Sequence, residues 1–271
     1  MNRVARPLLI VGLGGIVLKS LVGALEPRLV FFPNRGEDVT PSSLGLRYER
    51  VPLTTSDGER LVAWQLEPER PRADIVYFHG NGGNLSLWLP VLAALHRLQY
   101  RVLAVDYRGY GLSTGSPTEE GVYLDAEATV RHAARGRRRD RPLVFWGRSL
   151  GAAIAASATR HVAPDGLILE NAFPDKAAVI RGQPVLRALN VFGSYRFATS
   201  ELLRAFRRPV LVMHGDRDTI VPFALGRELF EGLGAPKQFV AVRDADHNDF
   251  FDHRRLDYWD PVARFIEGLR Q

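Results

Sequence analysis

From Tyr48 to the carboxyl terminus, apolar and polar positions follow two alternating rhythms. Tyr48–Leu53 and Leu61–Leu66 are short β-rich runs on either side of the turn signal Ser56-Asp57-Gly58, and they predict a hairpin. Further runs are apolar on both faces: Ile75–Phe78, Val102–Val105, Leu143–Trp146, Leu167–Leu169 and Val210–Met213. Near-continuous apolar strands are what a parallel sheet needs when helices cover both of its sides. Between them lie stretches of helical periodicity, Leu85–Leu98, Glu119–Ala134, Leu150–Thr159 and Leu225–Leu233, long enough to serve as crossovers. A strand at Gln238–Val242 and a helix at Pro261–Leu269 close the chain. The pattern predicts one α/β domain with a mostly parallel central sheet covered by helices on both faces.

The amino-terminal segment reads differently. Arg3 and Arg6 precede an apolar run from Pro7 to Leu18; Lys19 interrupts, and Ser20 to Leu25 is apolar again. Counted across Lys19, Pro7–Leu25 spans 19 residues, close to the roughly 20 of a membrane helix. Read only to Leu18 it has signal-peptide length, with Val22-Gly23-Ala24 as a small-residue cleavage site. A buried amphipathic helix is the third reading, and Gly12, Gly14, Gly15 and Gly23 weigh against it. The expectation is a hydrophobic anchor or signal segment over residues 1–28, membrane-associated if retained and secreted or periplasmic if cleaved. Arg28 and Arg35 balance Arg3 and Arg6, so charge does not choose a topology.

Composition narrows the classes. The chain of 271 residues is 46% hydrophobic and 24% charged, which excludes a wholly disordered or fibrous protein. It has no cysteine, so disulfide scaffolds, thiolate metal sites and cysteine nucleophiles are excluded. Against 30 acidic residues stand 36 basic ones, nearly all arginine, with Lys19, Lys176 and Lys237 the lysines. The local cluster Arg131–Arg141 reads as a solvated helix end and loop. A modest basic excess with no recognition motif does not predict a nucleic-acid partner.

In an open parallel sheet, chemistry gathers at the carboxyl ends of the strands. Gly147-Arg148-Ser149-Leu150-Gly151 directly follows the run Leu143–Trp146 and opens an alanine-rich helix. That is the context of a nucleophile elbow, a sharp strand-to-helix turn that lifts a serine hydroxyl out of the sheet. The same five-residue pattern recurs at Gly111-Leu112-Ser113-Thr114-Gly115. It lies several residues beyond its strand, and Ser116-Pro117 follows, which forbids a helix starting there. Ser149 is therefore the candidate nucleophile and Ser113 a loop residue.

A serine nucleophile needs a base, and the base an orienting acid, expected in the order Ser, Asp, His. The run Val210–Met213 leads into His214-Gly215-Asp216-Arg217-Asp218, with Asp218 the candidate acid and Asp216 its competitor. After Gln238–Val242 comes Asp244-Ala245-Asp246-His247-Asn248-Asp249, with His247 the candidate base and His253 its competitor. His96, His132 and His161 fall on helical faces. The carboxylates around His247 are metal-ligand types, but no strong zinc spacing accompanies them, so no metal is expected. His79-Gly80-Asn81-Gly82-Gly83-Asn84 follows the run Ile75–Phe78, and such a glycine-rich loop can offer backbone N–H groups to an oxyanion. The expected donors are the N–H groups of Asn81 and Leu150. No Gly-Lys-Ser/Thr follows the loop, which removes a phosphate-cradling reading.

Taken together, the HGNGGN loop, the DYRGYGLSTG turn, the GRSLG elbow, the HGDRDTIVP acid loop and the DADHND base loop resemble those of the α/β-hydrolase superfamily. More narrowly they are similar to its membrane-anchored, small-lid branch that includes the ABHD-type protein depalmitoylases. The resemblance runs from about Leu29 to the carboxyl terminus, including the LVFFPNR stretch. It implies an α/β-hydrolase fold over residues 29–271, with Ser149 as nucleophile, Asp218 as acid, His247 as base, and Asn81 and Leu150 forming the oxyanion hole. It also implies a serine hydrolase that cleaves carboxylic ester or thioester bonds through an acyl-enzyme, with no cofactor. Its substrate would be a small-molecule or lipid-like acyl ester, or an acylated protein. A short lid is expected at 171–208, with Phe173, Phe192, Tyr195 and Phe197 either lining an acyl groove or packing a helical flap. The competing class is a catalytically idle member of the fold serving as a membrane-surface scaffold.

Overall fold

The computed structural model describes residues 19–249 and 256–270. The apolar run Pro7–Leu18 and the competing base His253 lie outside the described residues. Residues 19–30 form a helix, α1. No helix among the described residues is long and apolar enough to cross a membrane. Strand β1 (Phe32–Pro33) follows, then the hairpin β2 (Tyr48–Thr54) and β3 (Arg60–Leu66), and then β4 (Ala73–Phe78). A two-residue strand β5 (Gly82–Gly83) pairs in parallel with β1. The alternation continues through α2 (Leu85–Arg97), β6 (Tyr100–Asp106), α3 (Glu119–Arg135), β7 (Leu143–Arg148), α4 (Leu150–Ala158) and β8 (Gly166–Glu170). Three short helices, α5 (Lys176–Val179), α6 (Pro184–Asn190) and α7 (Thr199–Leu202), come before β9 (Val210–Gly215), α8 (Phe223–Gly232), β10 (Lys237–Val242) and α9 (Leu256–Gly268).

The main sheet has the order β10-β9-β8-β7-β4-β6-β3-β2. Only the β2–β3 and β3–β6 pairings are antiparallel, so the sheet is mostly parallel, as the unbroken apolar runs predict. Side chains alternate across it: Val76 and Phe78 of β4 join the layer under α3, α4 and α8, while Ile75 and Tyr77 join the layer under α2 and α9. The chain leaves β4 toward β6 on one side and returns to place β7 on the other. This is a topological switch point, where loops after two neighbouring strands diverge and open a crevice.

Three local expectations need correction. The last helix does not begin at Pro261: it already runs at Leu256, with Pro261 inside it. Burial of Tyr258 and Trp259 against Trp146 outweighs the local cost of the proline. The basic stretch is not solvated throughout either, because Arg141 is buried and donates to Asp74 at 2.9 Å. His161 lies in the turn after α4 rather than on a helical face.

Candidate active site

The turn from β7 into α4 is built for close approach. A Cβ on Gly147 would stand 2.2 Å from the Gly151 carbonyl oxygen, and one on Gly151 would stand 2.1 Å from that of Phe78. Neither position accepts a side chain. Between them Ser149 adopts φ 52°, ψ −118°, a strained conformation for a residue with a Cβ. Such strain persists only where surrounding structure enforces it; here the Ser149 N–H bonds the Glu170 carbonyl at 2.8 Å. Leu150 opens α4, so its N–H has no carbonyl one turn back to bind.

His247 stands in the loop after β10, with Nε2 3.1 Å from Ser149 Oγ and Nδ1 2.7 Å from Asp218 Oδ2. The other Asp218 oxygen accepts the N–H groups of Ile220 at 2.9 Å and Val221 at 2.7 Å. Burial by itself would push the Asp218 carboxyl up; bonds from His214 and His247 outweigh it and hold the group well below the usual carboxylate range. An ionised Asp218 takes the Nδ1 proton of His247 as a hydrogen bond, which leaves Nε2 as the acceptor facing the serine hydroxyl. Asp218, not Asp216, meets the imidazole, since Asp216 is exposed.

Ser113, the serine of the second five-residue match, is occupied elsewhere. Ser113 is fully buried, donates to the Asp106 carbonyl at 2.6 Å and accepts the Val62 N–H at 2.9 Å. The carboxylates beside His247 also have other partners. Asp246 accepts from Thr219 and from the His247 N–H, and Asp244 pairs with Arg217.

The glycine-rich loop is fastened from beneath and from the side. Tyr107 donates to the His79 carbonyl at 2.9 Å, and Tyr110 donates to the Asn81 carbonyl at 2.8 Å. Asn81 Nδ2 donates to the Val30 carbonyl, and its Oδ1 accepts the Phe32 N–H at 3.3 Å. Burial lowers His79 to about 4, so this imidazole is neutral at ordinary pH. A cleft of about 600 Å³ opens over Ser149, lined among others by Asn81, Trp88, His247 and three apolar side chains, Phe32, Leu87 and Ile220. Those three are each more than half exposed, forming an apolar rim.

The aromatic residues of 171–208 do not line this cleft. Phe173 and Phe197 are buried in the core, and Phe197 packs edge-on against Phe31 and Tyr123. Tyr195 borders a separate cavity of about 530 Å³ between the start of α3 and residues 194–202. The segment is tied to α1 through Glu26, which accepts from Lys176, Ser194 and Tyr195, and Phe173 and Phe197 fill the core rather than an acyl groove. Sequence reasoning missed Arg148, Glu170 and Asn171, which sit at the carboxyl ends of β7 and β8 and bond around the base loop. The available signal was a polar pair, Glu170-Asn171, immediately following an apolar strand, the position where site residues collect.

Comparison with known proteins agrees with this architecture. A family model described as serine aminopeptidase, S33, matches residues 69–202. The α/β-hydrolase domain-containing protein WAV2 of Arabidopsis thaliana is 32% identical, with 94% of this chain and 92% of that protein covered. A Saccharomyces cerevisiae relative named as a membrane protein, YNL320W, is also 32% identical, over 94% of this chain and 95% of its own length. Among solved structures, the Pyrococcus furiosus esterase Pf2001 superposes with a TM-score of 0.70 at 23% identity, covering 87% of this chain and 98% of that one. With its central sheet, its strand-to-helix elbow and these relatives, the chain belongs to the α/β-hydrolase superfamily.

Proposed function

We propose that the protein is a serine hydrolase that cleaves carboxylic ester or thioester bonds of acyl substrates by way of an acyl-enzyme. The observation that carries the proposal is the His247 ring, held between Ser149 Oγ at 3.1 Å and Asp218 Oδ2 at 2.7 Å, beside a strained elbow. In this reading Ser149 Oγ attacks the acyl carbonyl carbon while His247 Nε2 takes its proton, and Asp218 holds the tautomer and stabilises the imidazolium. The carbonyl oxygen becomes an oxyanion, which the N–H groups of Leu150 and Asn81 stabilise, each by roughly 3 kcal/mol. His247 then gives its proton to the departing alcohol or thiol. Water, deprotonated by the same imidazole, attacks the acyl-enzyme, and the carboxylic acid leaves as the proton returns to Ser149.

Two features favour an apolar acyl group. The rim of Phe32, Leu87 and Ile220 offers hydrophobic surface at the mouth of the cleft. Helix α1, which precedes Phe32, buries Glu26 and exposes Leu21, Leu25 and Leu29, one stripe at four-residue spacing. A helix whose leucines face outward, with the cations Lys19 and Arg28 exposed beside them, suits a lipid surface. The reading therefore places the protein at a membrane through its amino-terminal segment, taking lipid-like esters or acylated protein, and the yeast relative's name supports this. The family description favours a second reading, release of an amino-terminal residue from a peptide. Against it, the described residues lining the cleft include no carboxylate to meet a free ammonium group.

The test is hydrolysis of p-nitrophenyl esters and acyl thioesters across chain lengths, with aminoacyl p-nitroanilides alongside. Fluorophosphonate labelling of wild type and Ser149→Ala accompanies it. Ester or thioester turnover and labelling that both vanish in Ser149→Ala support the proposal. A protein that neither turns over nor labels is a scaffold.

A further inference from the structure

The loop after β10 that carries His247 has no regular structure, so the position of the imidazole depends on a few specific bonds. Two of them converge on one atom, the His247 carbonyl oxygen. Asn171 Nδ2 donates to it at 3.2 Å, and the guanidinium of Arg148 donates to it as well. Arg148 is the residue immediately before Ser149 and is 1% exposed. Its other arm donates to Glu170, whose carboxylate also accepts Trp146 Nε1 at 3.0 Å and the Tyr258 hydroxyl at 3.0 Å. Glu170 and Asn171 are neighbours at the end of β8, and the Glu170 carbonyl receives the Ser149 N–H. The flat face of Trp88 lies 5.3 Å from the guanidinium carbon and completes its enclosure.

A buried ion pair is a poor source of stability. Taking both charges out of water costs about what their attraction returns, and apolar replacements of similar volume are often neutral or better. A pair kept in that setting, next to the elbow, is better explained by what it aligns. The rigid fork of a guanidinium serves two acceptors in fixed directions, which a lysine ammonium does not reproduce.

Resting on the serine-hydrolase reading, we infer that Arg148 is a positioning residue: it spans from Glu170 to the His247 carbonyl and so sets where the imidazole stands relative to Ser149. The elbow, the end of β8 and the base loop then act as one rigid piece. Asn171 seconds this from the same strand end; its N–H bonds the Met213 carbonyl at 2.9 Å, and its Oδ1 accepts the Gly215 N–H at 3.1 Å, extending the brace to the strand before Asp218.

The experiment compares wild type, Arg148→Lys, the double variant Arg148→Met/Glu170→Gln and Ser149→Ala on p-nitrophenyl acetate, butyrate and octanoate. The double variant removes both charges together, so no uncompensated carboxylate is left buried. It is expected to keep its melting midpoint while kcat falls roughly 10- to 100-fold, the range a misplacement of about 1 Å produces. KM should stay within about twofold and the loss should be the same for every chain length, the mark of a defect made only in the transition state. Arg148→Lys should fall between. If the double variant does not fold, Arg148→Lys decides: lowered kcat at constant KM supports the role, and wild-type kcat overturns it. Wild-type kcat in the double variant overturns it too, because the pair would then serve only itself. A loss in KM that grows with chain length also overturns it, making Arg148 a wall of the acyl site. Each of these leaves the hydrolase reading standing. Full turnover in Ser149→Ala removes that reading and the role of Arg148 together.

Discussion

Asp246 accepts the Thr219 N–H at 2.8 Å and the Thr219 hydroxyl at 2.9 Å, and through these bonds it ties the loop of His247 to the loop of Asp218. The same carboxylate oxygen accepts the His247 N–H at 2.7 Å, so one side chain sets the spacing of Asp218 and His247. Those donors hold its carboxyl below the ordinary range. Asp246→Ala is expected to lower kcat about tenfold through loosened geometry. Asp246→Asn, which keeps an acceptor oxygen, should be milder. Steady-state kinetics at constant pH provide the check, and an unchanged kcat in the alanine variant would show that the loops keep their register without it.

The two serines separate activity from stability. Ser149→Ala should cost on the order of 10⁶ in turnover, because a triad fails as a unit. Ser113→Ala should leave kcat near wild type yet lower the melting midpoint, since it strands the buried Asp106 carbonyl and the partly buried Val62 N–H, a loss of roughly 1–3 kcal/mol. Paired activity and thermal-melt measurements distinguish them, and a Ser113 variant that is stable but inactive would reverse the assignment.

Gly151→Ala tests the elbow itself. Its new methyl would meet the backbone carbonyls of Phe78 and His79, which have no rotamer by which to retreat. The variant is expected to be expressed poorly or to melt far below wild type, among the large losses that overpacking a core produces. A well-folded, fully active Gly151→Ala protein would mean that the turn opens more easily than these contacts allow.

Asp106 gives the fold a pH dependence of its own. Burial is the chief reason its carboxyl is pushed up to about 8; the Leu85 N–H opposes the shift without cancelling it. The folded value lies above the unfolded one near 4, so the folded state holds the proton more tightly. Its stabilising contribution is complete below about pH 4 and drains away as pH rises toward 8. Asp106→Asn, which stays neutral, should flatten the decline in melting midpoint between pH 5 and 9. An identical slope in both proteins would place the pH dependence elsewhere.

Much of this was legible in the sequence because chemistry and hydrophobic pattern coincide at strand ends. The apolar runs of β4, β7 and β9 each stop at the point where a candidate site residue or loop begins, so position along the chain implied position in space. Ser149 could be separated from Ser113 by its distance from a strand and by Pro117. The bracing residues could not be read, because Arg148 and Glu170 form a pair only through the β7–β8 register, with Arg148 opposite Glu170. Phe32 escaped for a related reason: β1 is two residues long, too short for any periodic signal, and exists only through its pairing with Gly82 and Gly83. The aromatics of 171–208 left two roles open in the sequence because large apolar side chains near a site fill a core as readily as they line a groove.

That two-residue strand also bears on how the protein is made in the laboratory. Phe32 and Asn34 donate to Asn81 and Gly83, so the stretch after α1 is a splint on the glycine-rich loop. A truncation that starts near residue 19 and omits the apolar run Pro7–Leu18 keeps the splint, whereas one that starts at Arg35 discards it. Shortened versions beginning at these two points would differ in whether they hydrolyse esters, although both would retain Ser149, Asp218 and His247.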